Sequence, residues 1–301
     1  MFNLSWDQSS CQQNVNKASH QLSTQPPHKC GIHTSTTLLA QTTSDESLER
    51  SLMNKKKEIM RENEKVKGSS GKRLPSMSKV VCIPAECHAN SLLFKECILL
   101  ASTALKEGEV IALATDTVYG IAALAQSTSA VQKLYQIKGR NFEKPIAISV
   151  GRISDVNKWG KATLDDDALS HLLPGAVTLV FERQPELNKE LNPYTTLVGI
   201  RIPDNAFIRE LALHCDAPLA LTSANKSSTK SSLDVKEFEN LWEHLAIVFD
   251  GGKLGDTEEC RKGSTVVNLS TPGKYKIIRD GSALSETIET LQNFGLSEDI
   301  L

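Results

Sequence analysis

Residues 113–150 read Leu113-Ala114-Thr115-Asp116-Thr117-Val118-Tyr119-Gly120, then a helical stretch ending Lys138-Gly139-Arg140, then Asn141-Phe142-Glu143-Lys144-Pro145 and the apolar run Ile146-Ala147-Ile148-Ser149-Val150. Val110–Ala114 is short and apolar and follows Gly108, which predicts a buried strand. Its end presents Thr115, Asp116, Thr117 and Tyr119 around a turn that closes at Gly120. Polar groups at the end of an apolar strand stand where α/β sheets place their ligands. Ser127 or Thr128 caps the next helix, which carries Leu134 and Ile137 at helical spacing. That helix delivers Lys138 and Arg140 on either side of Gly139, and Lys144 follows on the next stretch. Cations this close repel one another, so they predict a ligand with several negative charges, such as a triphosphate. The competing reading is a helix terminus whose basic residues answer the macrodipole.

Outward from this stretch the same rules place the other elements. Strands are predicted at Val80–Ile83, Val118–Ala125, Ala176–Phe181, Leu197–Ile202, Pro218–Leu221 and Ala246–Phe249, with a hairpin of Ser264–Leu269 and Lys274–Ile278 around Thr271-Pro272-Gly273. Helices are predicted at Ser91–Lys106, ended by Gly108, at Ala206–Cys215 with Asp204 as cap, from Asp234 to about Leu245, and at Ser285–Phe294. Shorter helical pieces fall at Asp155–Trp159 and Leu164–Leu173. Alternating helices and strands with one hairpin imply an α/β fold with a mixed sheet. This domain spans residues 80–301. Residues 1–79 differ: they are rich in Ser, Thr, Gln, Asn and Lys without sustained period, and read as a largely disordered extension. Within it, Leu48–Lys67 has the composition of a charged helix and Gly68-Ser69-Ser70-Gly71 that of a flexible link. The extension shares hydroxyl richness with transit peptides but is poor in Arg and carries Asp7 early.

Composition narrows the function classes. Net charge is -2 over 301 residues, so any phosphate site must be a local cluster rather than a property of the whole surface. Seven cysteines, an odd number with no C-x-x-C pair, argue against a disulfide framework. Cys82, Cys87 and His88 lack a second ligand pair at zinc spacing, and no metal ligand set is expected. No apolar run is long enough to span a bilayer. There is no Walker loop, no dinucleotide fingerprint and no G-x-S-x-G elbow. His171, His214 and His244 fall within predicted helices, where surface or packing roles are expected. Catalysis would then rest on positioning and charge stabilisation, as in phosphoryl and nucleotidyl transfer. The groups available for it stand at strand ends: Thr115, Thr117 and Tyr119, then Arg201, then Thr222, Ser223 and Asn225, then Ser264 and Thr265, then Arg279. Arg grips a carboxylate bidentately and Lys meets phosphate as a point charge, so this set suits a substrate bearing both.

Eight pieces occur in an order that resembles the YrdC/Sua5 family of threonylcarbamoyl-adenylate synthases. They are Thr115–Gly120, Lys138-Gly139-Arg140, Lys144-Pro145, Pro174-Gly175 with Thr178-Leu179, Val198–Pro203, Leu221–Asn225, Gly263–Val267 and Ile278–Gly281. The resemblance covers roughly Ser91 to Ala283 and looks like that of short animal members. It implies a twisted mixed sheet of the YrdC-like fold with a large concave basic cavity. It implies that L-threonine, bicarbonate and ATP give threonylcarbamoyl-AMP and pyrophosphate. The product then passes to a separate tRNA threonylcarbamoyl-transferase complex, which modifies ANN-decoding tRNAs. Carried over by motif, Lys138, Arg140 and Lys144 are the catalytic cations. Thr115, Thr117, Tyr119, Ser149, Arg201, Thr222 and Ser264 make the threonine side. Arg140, Lys144, Thr178, Ser223, Asn225, Ser231, Thr265 and Arg279 hold ATP. ATP is substrate, Mg²⁺ travels on its phosphates, and a weak tRNA contact is compatible with the same cations. The expected location is cytoplasmic, with a mitochondrial pool routed by the N-terminal extension. Two other readings fit parts of the pattern: a non-catalytic module that binds double-stranded RNA or tRNA, since phosphate-binding residues look alike in both, and the carbamoyl-adenylating domain of hydrogenase maturation factors, whose acylphosphatase and zinc-finger segments have no counterpart here.

All periodic elements lie after residue 79, so a chain truncated to begin at Lys79 is expected to fold and keep activity. Soluble expression and turnover of that truncation check this; loss of soluble protein would refute it.

Overall fold

The apolar run at 110–114 is continuous because both of its faces are covered. In the computed structural model, which describes residues 80–83, 91–139, 144–227 and 229–299, Ile111 and Leu113 pack into one hydrophobic cluster while Val110 and Ala112 pack into another on the opposite side. Strand side chains alternate, so a strand buried on both faces must be apolar at every position. The extension 1–79, Cys87, His88 and Arg140 lie outside the described residues.

In chain order the elements are β1 (Val80–Cys82), α1 (Leu92–Lys106), β2 (Ile111–Ala114), β3 (Tyr119–Leu124), α2 (Thr128–Lys138), β4 (Ala147–Ser149), α3 (Val156–Trp159), β5 (Gly160–Lys161) and α4 (Asp166–Leu172). They continue with β6 (Val177–Arg183), β7 (Leu197–Arg201), α5 (Ala206–Cys215), β8 (Leu219–Ser223), β9 (Ile247–Asp250), β10 (Thr265–Asn268), β11 (Lys274–Arg279), α6 (Leu284–Asn293) and β12 (Ser297–Glu298). The sheet order is β1-β9-β2-β3-β8-β4-β7-β6-β10-β11-β12, with β5 added on β6. The sheet is mixed: β2 runs parallel to β9 and β4 to β7, whereas β3 is antiparallel to β2 and β8, and β11 to β10.

Helices α1 and α5 cover one face, where Phe94, Ile98 and Leu105 meet Phe207, Ile208 and Leu211 over Leu219, Leu221 and Phe249. The Phe94 and Phe207 rings stand edge to face at 5.8 Å. Helix α2 covers the other face with Val131, Leu134 and Tyr135. Its ends follow sequence chemistry. The Ser127 hydroxyl accepts from the Ala130 amide at 3.4 Å, and Gly139 stops the helix at φ 53, a left-handed conformation that glycine adopts without strain.

Two expectations change. Asp204 does not cap α5; Asn205 does, accepting from the Ile208 amide at 3.3 Å. Asp204 accepts from Arg209 Nη1 at 2.8 Å, and its amide donates to Asp116 Oδ2 at 2.9 Å. The helix expected after Asp234 is a 3₁₀ segment, Val235–His244, broken at Phe238 (φ -126, ψ 26). Its buried residues Val235, Phe238 and Leu241 recur every third position.

Leu134 is fully buried in α2. Leu134→Ala is expected to cost about 3 kcal/mol through lost burial and a residual cavity, checked by urea unfolding.

Candidate active site

Strand ends and the loops that leave them enclose a cavity of about 680 Å³. Its wall takes Thr115 and Thr117 from the β2–β3 turn, Lys138 from the end of α2, Lys144 to Ile148 from the approach to β4, and Thr178 from β6. It also takes Arg201 from the end of β7, Thr222, Ser223 and Asn225 from the end of β8, Ser231 from the loop beyond, Ser264 before β10, and Arg279 from the end of β11. Among the described residues the wall carries Lys138, Lys144, Arg201, Lys262 and Arg279 and no carboxylate.

Arg201 is held by the β2–β3 turn. It is 6 % exposed, pairs through Nη2 with Asp116 Oδ1, and donates from the same nitrogen to Thr117 Oγ1 at 3.1 Å. Its Nε is buried with no hydrogen-bond partner among the described residues. Burial pulls the guanidinium below its ordinary pKa, Asp116 opposes that, and Arg279 adds to it. The Thr115 hydroxyl shapes the turn itself, donating to the Val118 carbonyl at 2.8 Å and accepting from the Thr117 and Val118 amides at 3.1 and 3.2 Å.

Lys138 is buried, and its ammonium meets the Ser223 carbonyl at 2.6 Å, the Asn225 carbonyl at 2.5 Å and Asn225 Oδ1 at 3.0 Å. The Lys138 carbonyl accepts from the Ser227 amide at 3.1 Å, so the grip is mutual. Lys138 thus ties α2 to the turn after β8, in addition to facing the cavity. Ser223 Oγ donates to Asn225 Oδ1 at 2.5 Å inside the same turn.

On the opposite wall Ser264 Oγ lies 2.8 Å from Thr178 Oγ1, and Arg279 donates to the Ser264 carbonyl from Nε and Nη2 at 3.0 and 2.6 Å. This needs the backbone after β11 to lie flush on the start of β10. A Cβ on Gly281 would sit 2.2 Å from the Thr265 nitrogen, so only glycine fits.

Among the described residues, three predicted site residues do not line the cavity. Tyr119 is fully buried on the other side of β3 from Gly120, which does line it; its hydroxyl donates to the Gly252 carbonyl at 2.6 Å and accepts from the Gly251 amide at 3.0 Å. Burial raises that phenol well above its ordinary pKa, and Asp250 adds to the rise. Thr265 alternates away from Ser264 and Val266, accepting from the Ala283 amide at 3.2 Å. Ser149 is fully buried beside Arg201 in the β4–β7 register, and its hydroxyl has no partner among the described residues. Conversely, the sequence names Asp116 in the turn without revealing that it holds Arg201, and Lys262, Thr195 and Thr229, which line the wall, were passed over. Lys262 immediately precedes Gly263-Ser264, and that adjacency was the available signal.

A latch stands behind Ser231. Arg261 Nη1 donates to the Ser231 carbonyl at 2.7 Å and pairs in a fork with Glu237 at 2.6 and 2.9 Å, while Glu237 also accepts from the Leu233 amide at 3.1 Å. It joins the Ser231 wall to the segment that carries Lys262 and Ser264.

The fold and the site together define a class. The Sua5/YciO/YrdC family model, described as "Telomere recombination", matches residues 103–281. The chain belongs to that family. It is 52% identical over 203 residues to the threonylcarbamoyl-AMP synthase of Bos taurus, covering 67% of this chain and 74% of that one. The threonylcarbamoyl-AMP synthase of Homo sapiens is likewise 52% identical over 204 residues, covering 67% and 73%. Among solved structures, P. abyssi Sua5 complexed with L-threonine shares the fold with a TM-score of 0.62 at 23% identity, over 73% of this chain and 62% of that one. E. coli YciO does so with a TM-score of 0.58 at 20% identity, over 68% and 96%.

The Arg261 hydrogen bonds hold the Glu237 carboxyl below its ordinary pKa. A carboxylate depressed by folding adds stability above its unfolded pKa and loses it as pH falls through the folded value. The melting temperatures of the native chain and of Glu237→Gln should therefore differ at pH 7 and converge as pH drops below about 4. A constant gap across that range would refute a charge-dependent latch.

Proposed function

We propose that the chain is an L-threonylcarbamoyladenylate synthase, a nucleotidyltransferase serving tRNA modification. The observation that carries this is the 52% identity to mammalian threonylcarbamoyl-AMP synthases. The cavity chemistry agrees with it. The threonine amine and bicarbonate condense to a carbamate with loss of water. A carbamate oxygen attacks the α-phosphorus of ATP, and pyrophosphate leaves. The substrates bring one carboxylate and a triphosphate, and the wall offers one buried guanidinium and several further cations.

Arg201 takes the threonine carboxylate, with Thr115, Thr117, Thr222 and Ser264 beside it. Lys144, Ser223, Ser231 and Arg279 face ATP, and Thr178 orients Ser264. Arg140 joins the phosphate side by motif. Lys138 sets the Ser223–Asn225 turn against these groups. Mg²⁺ arrives on the ATP phosphates as part of the substrate. The product passes to a separate tRNA-modifying complex, in the cytoplasm and, by way of the extension 1–79, in mitochondria.

The test is threonine-dependent pyrophosphate release from ATP, bicarbonate and labelled threonine. Arg201→Ala is expected to raise the threonine KM roughly thirtyfold, about 2 kcal/mol for a lost charged hydrogen bond, and to leave the ATP KM level. A rise for ATP alone would assign Arg201 to the other substrate. Arg140→Ala and Lys144→Ala are each expected to lower turnover about a hundredfold without lowering the melting temperature. Normal turnover in both, with salt-dependent RNA binding, would favour the RNA-binding reading.

A further inference from the structure

Asn192 stands outside the cavity wall yet holds a segment of it. It is 2 % exposed and sits at φ 55, a left-handed conformation that asparagine tolerates better than most residues. Its Oδ1 accepts from the Ile146 amide at 2.7 Å, and its Nδ2 donates to the Ile146 carbonyl at 2.9 Å. One side-chain amide therefore satisfies both backbone groups of Ile146, as a neighbouring strand would. Oδ1 also accepts from the Tyr135 hydroxyl of α2 at 2.9 Å.

The loop that presents Asn192 is itself strapped down. Arg183, the last residue of β6, donates to the carbonyls of Leu187, Asn188 and Leu191 at 3.2, 2.6 and 2.8 Å. The Thr195 amide closes on the Asn192 carbonyl at 3.3 Å. Thr195 lines the cavity on one side of this clamp, and Lys144, Pro145 and Ile146 line it on the other. Side-chain and backbone hydrogen bonds thus meet on a residue that does not line the cavity.

We propose that Asn192 is a positioning residue for the ATP side of the reaction. It fixes the approach to β4, and through it the reach of the Lys144 ammonium toward the phosphates. This rests on the reading that Lys144 contacts ATP. A displacement of this wall changes the geometry in which the phosphates are held, and such errors are expensive in binding and rate. A merely structural residue would lower stability and leave the two substrates equally affected.

The experiment uses the full chain and measures KM for ATP and for threonine, kcat and melting temperature. Asn192→Asp keeps the acceptor and loses the donor to the Ile146 carbonyl. Asn192→Gly removes the amide and tolerates the positive φ. Both are expected to raise the ATP KM on the order of tenfold with the threonine KM unchanged. Tyr135→Phe removes only the hydroxyl that donates to Asn192 from the helix side and is expected to lower the melting temperature with the ATP KM unchanged. Lys144→Ala reports on the underlying reading. If Lys144→Ala raises the ATP KM and neither Asn192 variant that folds does so, the positioning role is overturned and the ATP reading stands. An equal rise in both substrate constants also overturns it. If Lys144→Ala leaves both turnover and the ATP KM unchanged, the ATP reading falls and takes this inference with it.

Discussion

A buried ammonium must be surrounded by acceptors, and Lys138 finds them on a single turn. Oxygens of Ser223 and Asn225 approach it at 2.5 to 3.4 Å, where water would otherwise be needed. The tether fixes the end of α2 against the end of β8, two points far apart in the chain. Gly139 ends the helix in a left-handed conformation, and Lys144 and Ser231 line the same cavity. Ser232 donates to the Ala224 carbonyl at 2.7 Å, and its own carbonyl accepts from the Tyr119 amide at 2.8 Å. The shape of one cavity wall therefore follows from where one cation is solvated.

The opposite wall depends on a different constraint, close approach of backbone to backbone at Gly281. With no Cβ there, Arg279 can fold over Ser264 and leave the Ser264 hydroxyl against Thr178. Between the walls, Arg201 is desolvated by the sheet and compensated by Asp116 and Thr117. Such a guanidinium is preorganised: removing water around it strengthens its attraction for an incoming anion, and its partners prevent it from swinging out. Each device sets one side chain.

Element type was readable because it rests on local rules. Apolar runs, Ser127 before α2 and Gly139 after it gave the strands and the best-defined helix. The segment after Asp234 was read as an ordinary helix, and it is 3₁₀ and broken at Phe238. The site was legible as a set of strand ends. What escaped was direction: Tyr119 and Thr265 sit beside cavity residues in sequence and point away from the cavity in space, since successive strand side chains alternate. Lys138 was read as one of three phosphate cations, because its tether to Ser223 and Asn225 is a contact between distant segments that spacing cannot report. The role of Asp116, and Asn192 altogether, escaped for the same reason, each acting through a partner remote in the chain.

The strand order also bears on how the chain is made. Synthesis runs from β1 toward β12, yet β1 and β2 both pair with β9, and β6 waits for β10. Until Ile247–Asp250 has left the ribosome, the early strands present apolar faces and unpaired edges to the cell. Non-local pairing of this kind folds slowly and leaves intermediates open to aggregation. The hairpin of β10 and β11 brings Ser264 and Arg279 last, so a nascent chain lacking it would hold Lys138 and Arg201 beside an open trough rather than a cavity.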